Sequence, residues 1–152
     1  MKYQKIAADT DLSDFDIVLN PKKSVQNIQD YPQLCTYFYE FNLVDPMLQK
    51  SAVRKAIASM ISTKNLVADI AHLHPNNTFL PKSMLGEQES VWEPVVAEQL
   101  FSQNQISETH PLKLRIRYDD SSLNQTIATR LNRQLSQSDL LRVENQGMGW
   151  QE

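Results

Sequence analysis

The last third of the chain carries the pattern that most restricts its fold. Residues 112–118 alternate strictly between apolar and other side chains, which predicts a half-buried strand. A capping box at residues 122–125 opens a helix with one apolar face, and residues 139–144 have the composition of a second strand. Two strands joined by one helix within about 33 residues form a parallel pair with a right-handed crossover. We therefore expect an α/β domain with a C-terminal β-α-β unit.

The basic residues of the alternating strand are open to two interpretations. Lys113, Arg115 and Arg117 share one face, which could hold an anion. Such a stripe is more often the solvated face of an edge or amphipathic strand.

Residues 34–42, Leu-Cys-Thr-Tyr-Phe-Tyr-Glu-Phe-Asn, predict a further strand because they are rich in aromatic and β-favouring side chains. Alternation would place Cys35, Tyr37 and Tyr39 on one face and the residues between them on the other. With aromatic rings on both faces, we expect this strand inside a sheet or between the core and a cleft. The rings are either core or a ligand-facing wall, and periodicity does not decide between them.

Helical patterns fill the segment between these strands. Apolar residues from about Ser51 follow helical spacing, Ser62 and Thr63 can cap a second helix, and a third is expected from Pro94 to Gln103. The first thirty residues are less regular, with a short strand expected at 15–19. Together these elements predict a mixed sheet with helices.

Composition excludes several classes of protein. The net charge of −3 gives no electrostatic footprint for nucleic acid, and no apolar run approaches the roughly 20 residues of a membrane span. The N-terminus lacks the apolar core of a secretory signal. With three glycines and no catalytic or nucleotide-binding motif, we expect no enzyme, no catalytic residue and no cofactor.

The histidines and the single cysteine have simple expected roles. His72 and His74 diverge at a helix end and His110 lies in a distant loop, so we expect surface histidines and no metal site. Cys35 has no basic partner nearby in sequence, which favours a buried or disulfide-bonded role over a nucleophile.

The segment 34–42 closely resembles the oligopeptide-binding proteins of bacterial ABC importers, extracellular solute-binding protein family 5, where a Leu-Cys-Thr-Tyr-Tyr-Tyr-Glu-x-Asn strand joins two lobes. Val-Arg-Lys-Ala-Ile at 53–57 resembles the helix motif that follows in that family, although Lys50 replaces the usual aspartate before it. Tyr-Asp-Asp-Ser-Ser-Leu at 118–123 and Val-Glu-Asn-Gln at 143–146 extend the resemblance in the same order.

This resemblance implies a periplasmic-binding-protein-like lobe. Residues 1–33 would be the end of a first lobe or an irregular lead-in, and residues 34–152 the hinge strand and the first half of a second lobe. The lobes of such receptors close on an extended peptide, which they hold by backbone hydrogen bonds while side chains enter water-filled pockets. A membrane permease would be the second partner. The full-length protein would be periplasmic or otherwise extracytoplasmic, and this chain a fragment of it.

The resemblance also implies ligand-binding residues. Cys35, Tyr37 and Phe38 lie in the cleft strand, and Asp119 and Asn124 occupy positions that resemble a peptide-contacting asparagine and histidine. By position, Cys35 resembles a cysteine whose disulfide partner would lie beyond Glu152. A negative Asp119 would favour a cationic group over a carboxylate.

The resemblance leaves two other functions open. The same receptor-like domain could be the ligand-sensing part of a longer transcriptional regulator. A weaker alternative is a remodelled domain that mediates protein contacts.

Overall fold

The structure, a computed structural model, describes residues 7, 10, 11, 35–71, 73–78, 80 and 95–149. The chain divides into two units, residues 1–33 and 34–152. In the first unit, the backbone N–H of Thr10 donates to the carbonyl of Ala7 at 3.2 Å. The strand predicted at 15–19 lies outside the described residues.

The second unit contains four helices and two strands in its described part. In chain order they are α1 Ser51–Ser59, α2 Thr63–Leu66, α3 Ala97–Gln103, β1 Leu112–Asp119, α4 Ser122–Leu135 and β2 Leu141–Met148. None of these helices has the length and apolar content that crossing a bilayer would need.

The two strands form the predicted β-α-β unit. β1 pairs with β2 in parallel, from Leu112 opposite Leu141 to Asp119 opposite Met148. Since α4 connects the strands and packs on both, the α/β class and the C-terminal β-α-β unit predicted from sequence are confirmed. A mixed sheet was predicted, and within the described residues the sheet consists of one parallel pair of strands. β2 also extends four residues beyond the predicted end, because pairing with β1 holds its polar second half in the strand conformation.

The core lies between one face of the sheet, α4 and the α1–α3 pair. It is formed by apolar side chains at most 9% exposed: Val53, Ala56, Ile57, Leu66, Phe101, Ile106, Leu112, Ile116, Ala128, Leu131, Leu135 and Leu141. The strict alternation of β1 explains this arrangement, since Leu112 and Ile116 point inward while Lys113, Arg115 and Arg117 are exposed. The basic stripe is therefore a solvent-accessible face.

Two helix starts differ from the prediction. α4 begins one residue earlier, because Ser121 is the N-cap: its side-chain oxygen accepts the Asn124 N–H at 3.3 Å. α3 begins at Ala97, and Val96 before it is extended and 61% exposed. The β-branched pair Val95-Val96 favours extended backbone over helix, which accounts for the later start. Pro94 lies outside the described residues.

The predicted strand at 34–42 is wrong for its described part, because residues 35–42 have no regular secondary structure. Within the described residues, the sheet contains β1 and β2 alone. β-Propensity reflects packing against neighbouring strands, so an aromatic segment without such a neighbour is not held in a ladder.

The N-terminal end of α1 reflects the presence of Lys50 in place of the aspartate that is usual in the family it resembles. Lys50 has no side-chain acceptor and makes no capping hydrogen bond. The guanidinium of Arg54 instead donates to the carbonyls of Leu48 and Gln49, at 2.8 and 2.7 Å. This arginine fixes the turn that leads into the helix.

Two polar side chains on α4 fix α2. The Gln134 amide bonds reciprocally with Ser62: its oxygen accepts the Ser62 N–H at 2.6 Å, and its nitrogen donates to the Ser62 carbonyl at 3.3 Å. One turn earlier, Arg130 donates to the carbonyls of Leu66, at 3.0 Å, and Ala68. These carbonyls lie at the C-terminal end of α2, so Arg130 satisfies groups that a helix end leaves unpaired.

Replacing Arg130 by lysine should weaken this attachment. Lysine retains the charge but lacks the fork with which one arginine reaches two carbonyls. We expect Arg130→Lys to lower the free energy of unfolding in urea by about 1–2 kcal/mol, because bonds to a half-buried charged donor are lost. Arg133→Lys, at an exposed position on the same helix, should change it by less than about 0.5 kcal/mol. Equal effects of the two substitutions would contradict the role given to Arg130.

α3 ends in a Schellman motif with an unusual residue at its left-handed position. The N–H of Ile106 donates to Phe101 and that of Gln105 to Ser102, both at 3.0 Å. Gln105 has φ 63°, a conformation that glycine adopts without the steric cost of a Cβ.

Gln105→Gly should therefore stabilise the chain. We expect a gain of about 0.5–1 kcal/mol in the free energy of unfolding, because relief of the left-handed strain exceeds the added freedom of the unfolded chain. The matched change Gln103→Gly, at the last residue of the same helix, should instead lower the free energy of unfolding by up to about 1 kcal/mol, because its helical backbone gives glycine no advantage. Thermal and urea unfolding of both variants measure this difference. A loss of stability in Gln105→Gly would contradict it.

Candidate ligand site at the carboxyl end of the parallel strands

Both strands end at the same edge of the sheet, and α4 begins there. Asp119 lies opposite Met148, and the N–H of Asp120 donates to the Met148 carbonyl at 3.0 Å, which closes the ladder. In open α/β sheets, ligands bind outside the carboxyl ends of parallel strands, where connecting loops leave room for them. This edge is therefore the candidate location of a ligand site.

Asp119 is fixed at this edge by the residues that start α4. Its carboxylate accepts the Ser121 N–H at 3.0 Å. Hydrogen bonds from the Ser121 hydroxyl and backbone and from the Asn124 side chain lower the pKa of Asp119, because they favour the charged form. The ionised carboxylate thus favours the folded state above the unfolded pKa, and this contribution is lost as the pH falls through the folded pKa.

Tyr39, from the aromatic segment, lies beside the end of β1. Burial raises the pKa of Tyr39, and interaction with Tyr118 and Asp119 raises it further. A nearby carboxylate disfavours the tyrosinate because both are negative. The two segments meet here although about 80 residues separate them in sequence.

Gly147 lies opposite Tyr118 in the ladder and leaves little room for a side chain. A Cβ at this position would approach a carboxylate oxygen of Asp120 to 3.3 Å and the Tyr118 ring to 3.4 Å. The Asp120 carboxylate and the Tyr118 ring thus both lie next to Gly147.

We call this group the carboxyl-end cluster; its members are Tyr39, Tyr118, Asp119, Asp120 and Asn124. Of the predicted site residues, the structure brings together Asp119 and Asn124, which are hydrogen bonded. Tyr37 and Phe38 are each 61% exposed, as side chains at a ligand-facing wall would be. Neither Tyr37 nor Phe38 is assigned to the cluster.

Cys35 is free and exposed, so its predicted burial is wrong. A buried cysteine needs surrounding apolar side chains, and although Phe41 of the same segment packs against the core, Cys35 does not. A disulfide with a cysteine outside this chain stays a prediction.

Three cluster members were missed as site residues. Tyr118 fits the apolar alternation of β1, and Tyr39 is one of several aromatic residues in the predicted strand. A signal existed for Asp120, since consecutive aspartates at a strand end lie on the edge where ligands bind.

A hollow of about 580 Å³ lies at the opposite, amino end of the strands. Its lining includes Glu98, Ile106, Glu108 and Asp139. Its lining contains none of the residues that carry the family resemblance. Among the described residues, no group of three or more histidine, cysteine or acidic side chains is placed to hold a metal ion.

The chain is similar to a curated protein that is named as a binding protein. It is 88% identical over all 152 residues to a protein of Haemophilus influenzae named "Putative binding protein". The chain spans 30% of the length of that curated relative. No family model matches the chain, and no solved structure matches it. The sequence therefore corresponds to part of a protein described as a binding protein.

The coupling between Tyr39 and Asp119 can be measured. Asp119→Asn should lower the pKa of Tyr39, because the amide removes the charge that opposes ionisation yet still accepts the Ser121 N–H. NMR titration of tyrosine labelled at Cζ would follow this residue. Asp139→Asn removes the same charge at the other end of the strands and should leave Tyr39 unchanged. If both variants have the same effect, Tyr39 does not belong to the cluster.

Proposed function

We propose that this chain is part of a solute-binding component of an ABC importer that captures extended oligopeptides. The observation that carries the proposal is the electrostatic interaction between side chains of the two segments on which the resemblance rests. Tyr39, from 34–42, lies beside Tyr118 and Asp119, from 118–123. Phe41 and Tyr118 pack against the core, so each segment is anchored there while its more exposed side chains remain available to a ligand.

The exposed aromatic residues support the same function. Tyr37, Phe38 and Tyr39 are 61%, 61% and 44% exposed, which is a large aromatic surface for one short segment. Aromatic side chains offer broad contact area to ligands of varied sequence. In the proposed receptor, this segment forms a wall of the cleft.

The proposed mechanism is hinged closure on the ligand. Backbone groups at the cleft bind the peptide as an added strand, which suits many peptides because main-chain groups are common to all of them. Ordered waters adapt each pocket to its side chain. The closed receptor then delivers its ligand to a membrane permease, which places its site of action outside the cytoplasm.

A chimaeric receptor tests this function. The Haemophilus influenzae protein is made with its matching segment replaced by these 152 residues, and titrated calorimetrically with Ala-Ala-Ala. We expect saturable binding, with an affinity that Tyr39→Ala lowers about five- to tenfold through loss of a cleft aromatic. Val44→Ala is the control, since Val44 is apolar and 83% exposed but not in the cluster. It should have no effect.

The isolated 152-residue chain is the second control. It should show no measurable affinity for the tripeptide, because the proposed cleft needs a second lobe. Absence of binding by the chimaera and by the unchanged relative would refute the proposal. Binding that Tyr39→Ala and Val44→Ala weaken equally would refute the site.

A further inference from the structure

The backbone groups of β1 face alternately toward β2 and toward the outer edge of the sheet. The N–H of Leu112 donates to the Leu140 carbonyl at 2.9 Å, and that of Asp120 donates to β2 at the other end of the ladder. The register between these ends is continuous, so even-numbered positions bond to β2 and odd-numbered positions face away from it. We call the backbone N–H and carbonyl groups at the odd-numbered positions the outward groups of β1; they belong to Lys113, Arg115 and Arg117.

The outer edge of β2, in contrast, is covered from within the chain. The N–H of Leu141 donates to the Ser138 carbonyl at 3.2 Å, and the Leu141 carbonyl accepts the Arg142 guanidinium at 3.0 Å. The Val143 carbonyl accepts the Asn132 side-chain amide at 3.2 Å. Within the part of the chain that the structure describes, no hydrogen bond reaches the outward groups of β1. The open edge of this sheet is therefore the edge of β1.

A parallel strand pair with one open edge has the character of an incomplete sheet. Parallel strands occur almost only in sheets with both faces covered, and two strands alone form a marginal sheet. An open edge presents N–H and carbonyl groups to which a further strand can bond. On the side of α4, Leu114 and Tyr118 are only partly buried, so apolar surface is available beside this edge.

The charge of the edge argues against a second copy of this chain as the occupant. Lys113, Arg115 and Arg117 are exposed on the face of β1 away from the core. Two β1 edges paired with each other would bring these side chains together on one face, where like charges are destabilising. Most of the curated relative lies outside the segment that this chain matches, so a longer protein has many residues that could supply a different strand.

We propose that the outer edge of β1 pairs with a strand of the longer protein that lies outside this chain. That strand bonds to the outward groups and places apolar side chains beside Leu114 and Tyr118, so that β1 becomes an interior strand. The proposal goes beyond the proposed function, because it concerns how the longer protein is assembled and not what it binds.

Amide hydrogen exchange at single-residue resolution tests the proposal on the chimaeric receptor without added peptide. The outward N–H groups should exchange about as slowly as those of Leu114 and Ile116, which bond to β2. In the isolated 152-residue chain, the outward N–H groups should exchange at least about a hundredfold faster than those two. Rapid exchange of the outward N–H groups in the chimaera would overturn the proposal. If the isolated chain exchanges rapidly throughout, the pattern in the chimaera decides.

A proline substitution provides a second measurement. Proline is tolerated on an edge strand where its nitrogen faces solvent, but not between two strands. Arg115→Pro should therefore lower the melting temperature of the chimaera by several degrees relative to Arg115→Ala, which removes the same charge. In the isolated chain the difference between these variants should be much smaller. Equal melting temperatures of the two chimaeric variants would contradict the pairing.

Other occupants of the edge give different exchange patterns. Protection of the outward N–H groups that rises with the concentration of the isolated chain indicates a second copy. Protection in the isolated chain at every concentration indicates a strand from elsewhere in this chain. Protection of the chimaera that requires added Ala-Ala-Ala indicates the captured peptide. Each of these three results overturns the proposal.

Discussion

Burial of one face of the parallel strand pair against α4 is the interaction on which the other described features depend. Leu112, Ile116 and Leu141 supply that face, and Leu131 and Leu135 cover it from the helix. Truncating a single buried leucine to alanine costs about 2–5 kcal/mol, which is a large part of the stability of a domain this size. Because alternate residues of a strand face opposite sides, burying this set necessarily exposes Lys113, Arg115 and Arg117.

The same packing places the candidate site. Parallel pairing brings both carboxyl ends to one edge, and a helix that must return across the sheet starts at that edge. Asp119 thereby stands next to the first turn of α4, where Ser121 and Asn124 bond to it. The position of the candidate site therefore follows from topology, whereas its acidic character follows from the residues at two strand-end positions.

The fold was predicted where the pattern was local and repeated. The alternation of β1, the apolar face of α4 and the stripe of α1 each specify their element, because period two and period 3.6 are difficult to satisfy by chance over eight or more residues. The strand predicted at 34–42 was wrong in its described part because its pattern was not sufficient by itself. Its aromatic composition favours a strand, but a strand also needs a neighbour, and among the described residues none pairs with it.

For this protein, sequence by itself determined the α/β class, the parallel strand pair and the exposed basic face, since each follows from residue periodicity and chain connection. It also indicated Asp119 and Asn124 as partners at one site. Only the tertiary structure decided that Tyr39 and Tyr118 join them, and that Ser121 rather than Ser122 caps α4. The proximity of residues about 80 positions apart depends on how the chain packs, and a local pattern of side chains does not determine it.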